Sequence, residues 1–145
     1  MYVDDLNTIG HKQDIDEACK HLKTEFELKD LDKTKFCLGL QLEHLSTGIF
    51  VHQSAYVQKV LERFNMDNAY PSKTPMVVRS LGLNTDPFRP QDEGDEILGP
   101  HVPYLSAVGA LMYLANSTRP DIAFVVNLLA RHSASPTKRH WTRVK

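Results

Sequence analysis

The chain has 145 residues, 41% of them hydrophobic and 24% charged, with a formal net charge of −1. Those values fit one ordinary globular domain with enough residues for a core, and they exclude a free-standing, strongly basic nucleic-acid binder. No apolar run is long enough to span a bilayer, and residues 1–10 place two aspartates where a secretory leader is apolar, so an intracellular setting, cytoplasmic or nuclear, is expected. Cys19 and Cys37 stand in no metal-like spacing and read as small buried hydrophobes rather than as a disulfide.

The charges are unevenly placed. Asp86, Asp92, Glu93, Asp95 and Glu96 crowd one stretch against a single Arg89. After Asp121 there is no acid, and Arg131, Lys138, Arg139, Arg143 and Lys145 are all positive. The carboxy-terminal end is therefore expected to face phosphate and the acidic stretch to face water, the alternative being an ordinary solvated helix face.

In chain order, residues 1–10 read as a strand (Tyr2-Val3), a tight turn (Asp4-Asp5) and a second strand (Leu6 to Ile9) stopped by Gly10. Ile15, Ala18, Cys19, Leu22 and Phe26 make one apolar stripe, which predicts a helix over 14–26 with Asp14 as its cap. Phe36, Leu38, Leu40 and Leu42 alternate with Cys37, Gly39, Gln41 and Glu43, the period of a half-buried strand. Ser46-Thr47-Gly48 signals a turn and Ile49-Phe50-Val51 a returning strand. Ser54 is a candidate cap for a helix whose face is Val57, Val60, Leu61 and Phe64.

Residues 66–103 carry six prolines and read as a mobile, partly acidic linker. Tyr104 to Asn116 is apolar nearly all round, the pattern of a buried helix. Pro120 fits the first turn of another helix, with the stripe Ile122, Val125, Val126 and Leu129. A further basic helix begins near Pro136. The expected class is α+β, with hairpins and helices over 1–65, the linker over 66–103 and helices over 104–145.

Tyr2-Val3-Asp4-Asp5 carries the chemistry. Two carboxylates at a tight turn between strands are hard oxygen donors of the kind Mg²⁺ takes alongside substrate phosphates. Alone, the tetrapeptide is more often a simple capped turn. The seven histidines show no pair at ligand spacing, and Arg119-Pro120-Asp121 reads as a salt-bridged helix start.

Tyr2-Val3-Asp4-Asp5-Leu6 resembles the catalytic hairpin of reverse transcriptases. Phe36-Cys37-Leu38-Gly39-Leu40-Gln41-Leu42-Glu43 and Thr47-Gly48-Ile49-Phe50-Val51-His52-Gln53 resemble a block of copia-type retrotransposon polymerases. Lys73-Thr74-Pro75-Met76, Tyr104 through Leu114, Thr118 through Phe124 and Pro136-Thr137-Lys138-Arg139-His140-Trp141 follow in that family's order and spacing.

The resemblance implies a partial polymerase palm, made of catalytic hairpin, helix and primer-grip-like hairpin, followed by an α-helical thumb and connection. It makes Asp4 a metal ligand, with Asp5 beside it, for Mg²⁺ (or Mn²⁺) in nucleotidyl transfer. It places Tyr2 near the primer terminus, and Leu38, Gly39 and Leu40 in the primer grip. Arg131, Lys138, Arg139, Trp141 and Arg143 are candidates for contact with an RNA template and DNA primer.

The family's third carboxylate and its fingers lie upstream of this hairpin, and Asn7-Thr8 and Cys37 depart from its usual residues. The expectation is a fragment inactive by itself, complemented by an upstream palm and fingers segment, with a non-catalytic remnant that binds nucleic acid or a partner as the alternative.

Overall fold

The apolar stripe near the amino terminus forms a helix, α1 (Lys12–Glu25), in a computed structural model that describes residues 6–76 and 86–145. It starts earlier than the sequence predicts. Its cap is His11, and Asp14 lies inside the first turn, where a carboxylate meets the positive end of the helix. Ile15, Cys19 and Leu22 are half-buried, whereas Ala18 and Phe26 are exposed.

Leu6 to Ile9 does not form the predicted strand. Leu6 and Ile9 are exposed, so no apolar face holds this segment against a sheet. Asn7 anchors it by its side chain instead, accepting from the Thr34 hydroxyl at 2.8 Å.

Strands β1 (Phe36–Cys37), β2 (Leu40–Leu45) and β3 (Gly48–His52) form one sheet in the order β1-β2-β3. β1 runs antiparallel to β2, with Phe36 opposite Gln41 and Cys37 opposite Leu40. The alternating run that reads as one strand is thus folded back on itself at Leu38-Gly39. Both residues have positive φ, +51° and +80°, the pattern of a two-residue type I′ hairpin. The Ser46-Thr47 turn falls where its sequence predicts it.

The chain divides into two compact units, Met1–Phe50 and Val51–Lys145. The described part of the first contains no fully buried residue. The second holds the core and is built on α2 (Ser54–Arg63), α3 (Tyr104–Ser117), a 3-10 turn at Pro120–Ile122, α4 (Ala123–Ala130) and α5 (Lys138–Val144). Ser54 is the first residue of α2 rather than its cap, which is Gln53. The Gln53 side chain is buried and its Oε1 accepts from the Thr118 hydroxyl at 2.8 Å.

The stripes of α3 and α4 meet as their spacing requires, whereas Leu61 on the predicted α2 face is exposed. Tyr104, Ala107, Val108, Ala110, Leu114 and Ala115 are buried on α3, and Val125, Val126 and Leu129 on α4. The Tyr104 hydroxyl donates to the Leu129 carbonyl at 2.8 Å, and burial pushes its pKa up to about 12. Arg119 grips Asp121 through two bonds of 2.8 and 2.7 Å at the helix start.

Residues 86–103 of the proline-rich stretch are packed against these helices. Phe88 belongs to the same core as Tyr104 and Leu129. The Leu98 amide donates to the Pro136 carbonyl at 3.0 Å, the Lys138 amide donates to the Glu96 carbonyl at 2.9 Å, and Ile97 forms a bridge with Thr137. The expectation that the acidic stretch simply faces water needs correction, because Asp95 and Glu96 meet the basic residues of α5. Two apolar anchors, Phe88 and Leu98, and opposite charge hold it there.

Candidate nucleic-acid interface

Tyr2, Asp4 and Asp5 lie outside the described residues. Their donor chemistry fits a hard divalent cation: two adjacent carboxylates supply oxygen ligands and leave coordination positions for water and phosphate. Among the described residues, no group of three or more His, Cys, Asp or Glu side chains gathers to hold a metal.

The hairpin tip exposes apolar side chains of the first unit. Leu38 is 91% exposed, Phe36 is also exposed and Leu40 is half-buried. The fold of the tip follows from Gly39, which takes a positive φ without a Cβ penalty and lets the backbone turn in two residues. Leu38 must adopt the left-handed region as well, which disfavours a branched apolar side chain by about 1–2 kcal/mol. The result is a tight two-residue turn that presents a leucine to solvent.

The basic residues of the second unit divide into two groups. Arg139 is turned inward: its guanidinium donates to Asp95 at 2.9 Å and to the carbonyls of Arg89 and Pro90 at 3.1 and 3.2 Å. Trp141 packs edge-on to Phe64 and tilted against Tyr104, each at 6.5 Å between ring centroids, with the Lys145 ammonium 5.3 Å from its ring centre. These two residues sustain the fold. Arg131 and Arg143 are exposed, and Lys138 is exposed but ion-paired to Glu96 at 3.1 Å. The Asp95 carboxyl is held below the usual carboxylate range, first by the Asp92 amide that donates to it and then by the Arg139 and Arg89 guanidiniums.

The structure also brings together two histidines that their sequence spacing does not single out. His132 and His140 stack face to face, 4.0 Å between ring centres and 8° from parallel. Their Nε2 atoms donate to neighbouring carbonyls, Phe88 at 2.8 Å and Arg89 at 3.0 Å. His140 Nδ1 accepts from the Thr137 amide at 3.2 Å, while the Thr137 hydroxyl accepts from the His140 amide at 3.4 Å. This is a capping box with histidine in the place that glutamate or glutamine usually holds. The Thr-x-x-His spacing was the available signal. It fixes these imidazoles as props of the fold.

Comparison with known proteins identifies the lineage. A reverse transcriptase (RNA-dependent DNA polymerase) family matches residues 1–78. The Pol polyprotein of transposon TNT 1-94 from Nicotiana tabacum is 38% identical over 149 residues, covering 100% of this chain and 11% of that polyprotein. The Pol polyprotein of transposon RE1 from Arabidopsis thaliana is 32% identical over 146 residues, with 100% and 9% covered. An uncharacterized mitochondrial protein of Arabidopsis thaliana is 30% identical over 138 residues, with 94% and 53% covered. The chain thus spans about a tenth of the length of the two polyproteins. No solved structure matches. The chain belongs to the reverse transcriptase family, among relatives from copia-type retrotransposons.

Proposed function

We propose that residues 1–145 carry the catalytic hairpin, primer grip and thumb-connection segment of the RNA-directed DNA polymerase of a copia-type retrotransposon. In this reading residues 1–65 are palm, 66–103 connect, and 104–145 belong to the thumb and connection. The observation that carries the reading is the family match over 1–78, which includes the paired carboxylates Asp4 and Asp5.

Asp4 and Asp5 would hold Mg²⁺, or Mn²⁺ in its place. When bound, the ion favours ionisation of the primer 3′-hydroxyl and offsets the charge of the departing pyrophosphate. The chain's own residues supply position. Asp4 and Asp5 would supply oxygen ligands at the centre, with Tyr2 beside the primer terminus. Leu38, Gly39 and Leu40 form a loop whose exposed tip and tight turn suit close approach to the primer backbone. Arg131, Lys138 and Arg143 offer charge to template phosphates, and Arg139 and Trp141 support the helix that carries Lys138 and Arg143.

Two carboxylates alone do not make this centre. Polymerisation also needs a further oxygen ligand and a nucleotide pocket, which the family's upstream palm and fingers provide. Residues 1–145 by themselves therefore do not extend a primer.

The test is extension of oligo(dT) on poly(rA) with Mg²⁺ or Mn²⁺, comparing the folded chain with Asp4→Asn. The expected result is no extension by either. Extension that disappears in Asp4→Asn overturns the claim of inactivity. Retained binding of the template-primer without extension fits the second reading, a non-catalytic nucleic-acid-binding remnant, which the exposed cations Arg131 and Arg143 favour.

A further inference from the structure

The segment after Asp121 contains five cations and no acid, so its counter-charges come from elsewhere. Among the described residues, the side-chain carboxylates that pair with those cations are Asp95 and Glu96. They stand on one short strap, residues 92–96, that also answers Arg89 through Asp92 at 3.5 Å and Asp95 at 3.8 Å.

The strap has an inner and an outer part. Inside, Asp95 and Arg139 are 15% and 20% exposed, and Arg139 is further tied to two carbonyls. That contact anchors the strap. Outside, Glu96 and Lys138 are 70% and 68% exposed, and Asp92 is 68% exposed. Exposed pairs of this kind are weak and screened by salt, so a competing anion displaces them readily.

We infer that Glu96, with Asp92, stands in for nucleic-acid phosphate on the basic surface around Lys138 and Arg89, and that single-stranded nucleic acid binds there by displacing these two carboxylates while Asp95 stays locked. The acidic strap is then a built-in competitor that lowers affinity for polyanions. The inference rests on the nucleic-acid reading proposed above and adds to it an internal regulator. It also accounts for a basic helix carried on a chain whose net charge is −1.

The test measures binding of fluorescent oligo(dT) to the full chain by anisotropy across a range of salt. Glu96→Gln is compared with Glu93→Gln, which removes the same charge from the same stretch. Glu93 forms no ion pair among the described residues.

Glu96→Gln is expected to bind about threefold to tenfold tighter than the unsubstituted chain at low salt. Its salt dependence should steepen by roughly one released counterion. Glu93→Gln should change affinity by less than about twofold, and Lys138→Gln should abolish the gain when combined with Glu96→Gln. If the chain binds oligo(dT) and Glu96→Gln matches Glu93→Gln, the strap is not a competitor and the inference falls while nucleic-acid binding stands. If no variant binds, the inference and the nucleic-acid role of this surface fall together. Equal unfolding midpoints for the variants establish that the comparison is between folded proteins.

Discussion

Leu38 shows how much one residue can hide in a pattern. It occupies the first central position of a two-residue turn with φ of +51°, where asparagine or aspartate before glycine is the favoured choice. Its neighbours alternate apolar and small or polar residues, so period-two reading carries the strand straight through it. The one turn signal was Gly39, and a lone glycine in a strand pattern also marks a bulge or a close approach. Leu38→Asn is expected to relieve about 1 kcal/mol of backbone strain, slowing amide exchange in the β1-β2 hairpin about fivefold. Unchanged or faster exchange would show that the leucine is not strained there. If the leucine is kept for the primer, the same substitution also weakens template-primer binding.

At the scale of elements, the helices of the second unit were the most legible. The stripe Val125, Val126 and Leu129 is buried as its spacing requires, and the all-round apolar pattern of α3 corresponds to a helix with six buried residues. The start of α5 near Pro136 was legible too, but its cap was not, because a histidine rarely serves as the reciprocal partner in a capping box. Its chemistry makes the element sensitive to pH. Burial pushes the His140 pKa below its usual 6.5, with neighbouring His132 and the Arg139 guanidinium acting in the same direction and the Arg89 carbonyl and Asp95 opposing. The unfolded chain takes up this proton near 6.5, while the folded chain takes it up only at lower pH. Stability should therefore fall as pH drops below about 6.5 and be independent of this group above it. Glutamine at the same position can accept from the Thr137 amide without titrating, so His140→Gln is expected to flatten the dependence of Tm on pH in that range. An unaltered slope would place the titrating group elsewhere.

For the whole molecule, the order of family blocks was readable from end to end, since each block keeps its own residues and spacing. What could not be read was how distant segments meet. The pairing of residues 95–98 with 136–139 joins positions some forty residues apart, and nothing local to either segment announces the other. Proline content made residues 86–103 look like a free connection, yet Phe88 sits in the core and the acidic strap clasps α5. The stacked histidines are not readable for the same reason, because each is an ordinary residue until the carbonyls of Phe88 and Arg89 are beside it. Asp4 and Asp5 lie outside the described residues, so their role is decided by chemistry in solution. The deciding measurement is primer extension with Mg²⁺ by a complete copia-type polymerase in which residues 1–145 replace the corresponding segment, with and without Asp4→Asn. Extension by the chimera that falls about a hundredfold or more in the variant would establish Asp4 as part of a working polymerase centre. Equal extension by both proteins would contradict that assignment.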